Sequence, residues 1–169
     1  MKKTIIALTL TALWISSKLA FGFEPSLEIR IESRSKEVND ISQFVLSVEF
    51  HNLSNEEYVV FPAYLRRNFK AVDGQEVRFQ PYPGPAVNPW PTAILLKASE
   101  RKAITLKGVN SAEGMWELEY GHYDLSVSLQ VMPTSTFGAG DVLELFRNKP
   151  IWRGTVKSNS MTIWYHDET

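Results

Sequence analysis

Cysteine is absent from this sequence of 169 residues. The absence excludes disulfides, thiolate nucleophiles, cysteine-ligated metal sites and lipid attachment to a cysteine behind a leader. Glycine-rich phosphate loops and serine elbows of the Gly-x-Ser-x-Gly type are missing as well. The sequence therefore predicts a protein that is stabilised by packing alone, is not an enzyme and needs no cofactor.

An apolar run long enough to span a bilayer, about 20 residues, is also missing. The first 22 residues instead combine Lys2 and Lys3, a short apolar stretch over residues 5–15, and Ala20-Phe21-Gly22. This pattern predicts a signal peptide (1–22) that is cleaved after Gly22, and one mature domain over residues 23–169. Lys18 interrupts the apolar stretch and disfavours the alternative, an uncleaved anchor. We expect a periplasmic or secreted protein without a stable membrane anchor.

The mature chain carries no excess of positive charge. Without Lys2, Lys3 and Lys18 it retains 15 basic and 19 acidic residues. Affinity for nucleic acid depends mainly on neutralising phosphates. The charge balance therefore predicts no nucleic-acid partner.

Apolar and polar residues alternate with a period of two along most of the mature chain. The clearest segments cover residues 27–32, 44–51 and 122–131. Such alternation places one face of a strand on a core and the other in water, which is typical of antiparallel sheets. Shorter candidate strands cover residues 58–61, 75–80, 94–96, 103–106, 151–156 and 161–165, and Ser158-Asn159 is interpreted as a turn between the last two.

One short helix is predicted near residues 141–147, where Asp141 and Glu144 form a candidate capping box and Pro150 ends the pattern. Seven to nine short strands separated by turns predict an all-β fold, an antiparallel β-sandwich.

Two segments carry a resemblance to secreted bacterial immunoglobulin-like domains. Glu119-Tyr120-Gly121-His122-Tyr123-Asp124-Leu125 resembles the tyrosine corner at the start of strand F, and Trp152 to Asn159 is similar to a closing strand. The resemblance implies that the Tyr123 hydroxyl bonds to the backbone just upstream. It also places Leu125 and Leu46 where true immunoglobulin domains carry their cysteines.

The three histidines give no metal-binding pattern. His51 and His122 are expected on the outward faces of different sheets, His166 lies in the tail, and no His-x-Met pair is present. We predict surface histidines and no metal site. Glu117 and Glu119, two apart on one strand, are interpreted as paired surface charges rather than a catalytic acid pair.

The stretch QPYPGPAVNPWP (80–91) contains five prolines, Tyr82 and Trp90. Proline fixes its own φ and biases the preceding residue to extended geometry, so the loop has little entropy to lose on binding. One interpretation is a recognition loop that presents Tyr82 and Trp90 to a partner. The other is a cover in which both rings fold over an open sheet edge.

Trp164 and the pair Arg66 and Arg67 are the remaining candidate contact residues. Trp164 is predicted to point outward from a last, edge strand, where it is either a contact residue or covered by the helix near 141–147. Arg66 and Arg67 either pair with an acidic partner or solvate a turn.

The sequence as a whole favours a non-catalytic module that binds another protein, such as an inhibitor or immunity factor for a secreted hydrolase. Two alternatives stay open. One is a carbohydrate or cell-wall binding module that uses Tyr82, Trp90 or Trp164 as a glycan platform, and the other is an accessory subunit of an envelope assembly.

Overall fold

The computed structural model describes residues 26–81, 93–108, 114–131, 146 and 148–167. These residues form twelve strands and one turn of 3-10 helix at Pro62–Tyr64. The strands are β1 (Leu27–Ser33), β2 (Glu37–Val38), β3 (Val45–Asn52), β4 (Tyr58–Val60), β5 (Leu65–Ala71), β6 (Arg78–Pro81), β7 (Ile94–Leu96), β8 (Arg101–Lys107), β9 (Gly114–Glu117), β10 (Gly121–Val131), β11 (Gly154–Lys157) and β12 (Met161–Tyr165).

The described part of the chain is all-β, as predicted, and its strand pairs are antiparallel except at β2. Each of the nine predicted strand segments overlaps an observed strand. The predicted number, seven to nine, is too low because β2, β5 and β9 were not anticipated. The predicted helix near 141–147, apart from Phe146, and the leader 1–22 lie outside the described residues.

The first sheet has the strand order β1-β3-β8. Buried and more exposed side chains alternate along its strands, as the sequence predicts. The even-numbered positions of β3 and the odd-numbered positions of β1 are the buried ones. The buried side chains include Leu27, Ile29 and Ile31 of β1 and Leu46, Val48 and Phe50 of β3. The opposite face of this sheet points to solvent.

The second sheet is built around β10, the longest strand. One edge of β10 pairs with β5 over its middle. The other edge pairs with β12 near the start of β10 and with β11 near its end. β2 adds a short parallel pairing to the far side of β12. Four strands therefore take their position, directly or through β12, from β10.

A bulge separates β11 from β12, and the interpretation of Ser158-Asn159 as a turn is wrong. Ser128 lies opposite Lys157 and Leu125 lies opposite Met161, so three residues (158–160) face two (126–127). The chain keeps its direction along β10. One residue more on this strand than on its partner is the definition of a β-bulge.

The inward side chains of both larger sheets belong to one hydrophobic cluster. Asn159, within the bulge, connects the two sheets at one point. Its Oδ1 accepts a hydrogen bond from the Ile31 amide (2.8 Å), and its Nδ2 donates to the Ile31 carbonyl (3.2 Å). The Asn159 side chain therefore forms the two hydrogen bonds with Ile31 that a neighbouring strand would otherwise form.

The hydrogen bond expected of Tyr123 is present. The Tyr123 hydroxyl donates to the carbonyl oxygen of Glu119 at 2.7 Å, and the residue is 5% exposed. Burial also raises the pKa of Tyr123, since removal from water disfavours the phenolate. The bond fixes the chain where it enters β10.

Replacing Tyr123 by Phe will lower the free energy of unfolding by about 1 kcal/mol, because the Glu119 carbonyl loses a donor near the core. Tyr120→Phe is the matched control, since Tyr120 is 61% exposed, and it will leave stability unchanged. Urea unfolding followed by circular dichroism measures both variants. Equal stability of the two variants would contradict a structural role for the Tyr123 hydroxyl.

Candidate functional site

The proline-rich stretch contributes only its first two residues to the described structure. Gln80 and Pro81 are exposed and lie in β6, opposite Met115 and Gly114 of β9. Tyr82 and Trp90 lie outside the described residues, and both interpretations of the stretch remain predictions.

Arg66 and Arg67 lie on opposite faces of β5 and do not form a common basic surface. Arg66 is exposed, whereas Arg67 is 2% exposed and its Nη1 donates to the Gly108 carbonyl at 2.8 Å. Burial lowers the pKa of Arg67 to about 10. The prediction of Arg67 as a contact residue, or as a solvated turn residue, is therefore wrong. Its side chain spans the core from β5 to the end of β8.

Trp164 points outward from β12 between exposed Thr162 and half-buried His166, as predicted, with Ile163 fully buried behind it. The indole side chain is 41% exposed. Its strand is not an edge strand at this position, because β10 pairs with it on one side and β2 on the other. The Trp164 amide donates to the Lys36 carbonyl at 2.7 Å. The backbone beneath the indole is held from both sides.

Two imidazole rings stack on the Trp164 indole. The ring of His122, directly across from Trp164 on β10, has its centroid 5.5 Å away with an interplanar angle of 14°. The ring of His166 is 4.1 Å away at 29°. His166 Nδ1 donates to the carbonyl oxygen of its neighbour Asp167 (2.8 Å), which orients that imidazole. An exposed indole that is packed in this way has little rotamer freedom left to lose on binding.

Polar side chains surround Trp164 on the outward face of this sheet, which we call the β10 face. It consists of the outward side chains of β5, β10, β11 and β12: Arg66, Asn68, Lys70, His122, Asp124, Ser126, Ser128, Gln130, Thr155, Lys157, Thr162 and Trp164.

Hydrogen bonds between neighbouring strands order the centre of the β10 face. Thr162 Oγ1 donates to Asp124 Oδ1 at 2.8 Å. Asn68 Nδ2 donates to Ser128 Oγ at 3.2 Å. Arg66, Lys70, Lys157 and Trp164 are longer side chains on the same face, and all four are exposed.

The described residues contain no group of three or more His, Asp or Glu side chains able to hold a metal ion. His51 lies on the first sheet and approaches Glu28 Oε2 at 3.2 Å. His122 and His166 are instead brought together by Trp164. The sequence predicts that His166 lies beside Trp164 on the same face, but alternation alone does not predict that the two rings stack.

The carboxylates of Glu117 and Glu119 are exposed. With Glu76, Arg78 and Tyr123 they line part of a groove of about 280 Å³ beside the start of β10. Arg78 lies opposite Glu117 in the β6–β9 ladder. This groove combines charges of both signs on exposed strands.

Comparison of the chain with protein-family models, with curated proteins and with solved structures finds no match. Among the residues that the structure describes, no helix is long and apolar enough to cross a bilayer.

Trp164→Ala will change the free energy of unfolding by less than about 1 kcal/mol, because the side chain is largely outside the core. The matched control is Trp152→Ala. Trp152 is 6% exposed and belongs to the hydrophobic cluster, so its truncation will cost about 3–5 kcal/mol. Chemical denaturation measures both. A loss of several kcal/mol in Trp164→Ala would show that the indole is needed for folding rather than held ready for contact.

Proposed function

We propose that this protein is a non-catalytic immunoglobulin-like module of the periplasm or the secreted fraction, and that it binds another protein through the β10 face. An inhibitor or immunity factor for a secreted hydrolase is the role we propose for such a module. It requires no cofactor, because a surface that blocks or holds a partner needs only shape, apolar contact and charge.

The sheet orders support the immunoglobulin-like assignment. The order β1-β3-β8 corresponds to strands A, B and E, and β5, β10 and β11–β12 correspond to strands C, F and G. The tyrosine-corner hydrogen bond from Tyr123 falls at the start of β10, in the position that this assignment requires. The basic and apolar start of the chain, followed by Ala20-Phe21-Gly22, supports export.

The observation that carries the proposal is Trp164, an exposed indole on the outward face of a paired strand and stacked by two imidazoles. Tryptophan is enriched among the few residues that supply most of the binding energy at protein interfaces. A side chain that is already oriented binds at a lower entropic cost than a mobile one. Trp164 does not belong to the hydrophobic cluster, so core packing does not explain its presence. Its geometry favours contact with a partner.

Photo-crosslinking tests this proposal. A benzoylphenylalanine residue at Thr162, beside Trp164, will form a discrete heavier species when the protein is exported to the periplasm of its source cells. The matched control is the same residue at Thr105, which is exposed on the outward face of the first sheet. Only the Thr162 position will crosslink, and adding Trp164→Ala will weaken the signal.

Equal crosslinking from Thr105 and Thr162, or a signal that is unaffected by Trp164→Ala, would contradict the β10 face as the contact surface. The heavier species is then identified by mass spectrometry, and a hydrolase in it would support the inhibitor role.

A carbohydrate-binding module is the second candidate, because the Ser128 hydroxyl and the Asn68 amide lie on the same face as Trp164. The stacked imidazoles disfavour it, since they occupy contact area on the indole that a sugar ring would need. Titration with glycans, followed by tryptophan fluorescence, distinguishes the candidates. The sugar would be favoured if a glycan quenches the fluorescence in a saturable manner, if Trp164→Phe abolishes this quenching, and if the crosslinked protein partner causes none.

A further inference from the structure

We propose that the partner presents an acidic protein surface to the β10 face, an inference that depends on the function proposed above. Basic side chains are concentrated on this face near the C-terminal end of β10. There Ser128 lies opposite Arg66 on one side and Lys157 on the other. These residues form one row across three strands. We call it the Ser128 row.

Neither the Ser128 row nor the next row towards the start of β10, which contains Ser126, carries a carboxylate. The first carboxylate in that direction is Asp124. Asn68 lies opposite Ser126 in the next row, and Lys70 lies opposite Asp124 in the one after that. Asp124 accepts a hydrogen bond from Thr162. Among the described residues neither Lys70 nor Lys157 forms an ion pair. Both lysine side chains are exposed, so a partner can reach their ammonium groups.

The outward face of the first sheet can be compared with the β10 face in its charges. It carries three acidic and three basic side chains: Glu28, Glu32, Glu49, Arg30, Arg101 and Lys107. Arg30 pairs with Glu28 at 2.9 Å and Arg101 pairs with Glu49 at 2.7 Å. Cations on that sheet are therefore largely neutralised within the molecule.

The cationic end of the β10 face contrasts with the mature chain, in which acidic residues outnumber basic ones by 19 to 15. A local basic area attracts an acidic partner surface, and such complementarity sets partner choice and association rate.

The dimensions of the face favour a protein as the source of the carboxylates. Ser128 lies six positions along β10 from His122, whose cross-strand neighbour is Trp164. This is a length of about 20 Å at the usual rise of a strand. Arg66 and Lys157 are two strand spacings apart, or about 10 Å. One ligand that contacts both the Ser128 row and the indole must extend over this distance and combine acidic with apolar groups. A folded protein surface meets that requirement.

The charge inference is tested with an octa-glutamate peptide added to the ¹⁵N-labelled mature protein. Amide signals of β5, β10 and β11 around Arg66, Ser128 and Lys157 will shift in a saturable manner. The shifts will decrease as salt is raised, because exposed charges are screened. Lys157→Glu will weaken the apparent affinity by about tenfold. The matched control Lys107→Glu, which reverses an exposed lysine on the first sheet, will leave the affinity unchanged.

Three results would overturn the inference: no shifts, shifts of equal size around Arg101 and Lys107, or an affinity unaltered by Lys157→Glu. A heparin fragment of equal charge that binds at least tenfold more tightly than octa-glutamate would also overturn it, in favour of a polyanionic glycan. Octa-glutamate has no apolar side chain, so Trp164→Ala will not change its binding. The charge inference and the crosslinking test at Thr162 can therefore fail independently.

Discussion

The bulge at residues 158–160 is the constraint on which the arrangement of the β10 face depends. In a regular strand, side chains two apart share a face, so Lys157 and Trp164, seven apart, would point to opposite sides. The additional residue between β11 and β12 reverses that parity, and both side chains point outward. Ser158 makes the reversal possible, because its amide donates to the Val127 carbonyl (2.8 Å) and its Oγ accepts from the Val127 amide (2.9 Å). The backbone of β10 therefore remains hydrogen-bonded where the regular ladder is interrupted.

Polar side chains that bond to backbone groups, two of them fully buried, stabilise the remaining geometry in a chain without disulfides. Asn159 bonds to both backbone groups of Ile31, and Arg67 reaches Gly108 across the core. Asn52, fully buried, donates to the carbonyls of Glu56 (2.7 Å) and Lys97 (2.9 Å). A hydrogen bond of this kind contributes about 1 kcal/mol to stability, and a buried group left without its partner costs more. Each therefore specifies one arrangement of the loops and sheets that position the β10 face.

The sequence predicts the all-β class and nine of the twelve strands, and in β1 and β3 alternation reports directly which residues are buried. β5 is missed for an identifiable reason. Its inward positions are Leu65, Arg67, Phe69 and Ala71, and an arginine among them breaks the pattern that identifies a strand. The outward direction of Trp164 could be predicted from its neighbours, whereas the stacked imidazoles could not. His122 meets Trp164 through strand register, which is a property of pairing between segments about forty residues apart.

Single-cysteine labelling tests most directly the claim that Lys157 and Trp164 share an outward face, and the absence of native cysteine makes it unambiguous. Four variants of the mature protein are compared: Lys157→Cys, Trp164→Cys, Val156→Cys and Ile163→Cys. The structure predicts fast reaction with a water-soluble maleimide for the first two and slow reaction for the last two, with Ile163→Cys the slowest. Fast labelling of Ile163→Cys together with slow labelling of Trp164→Cys would mean that the strand runs without its bulge. That result would remove the basis for the β10 face as a single contact surface.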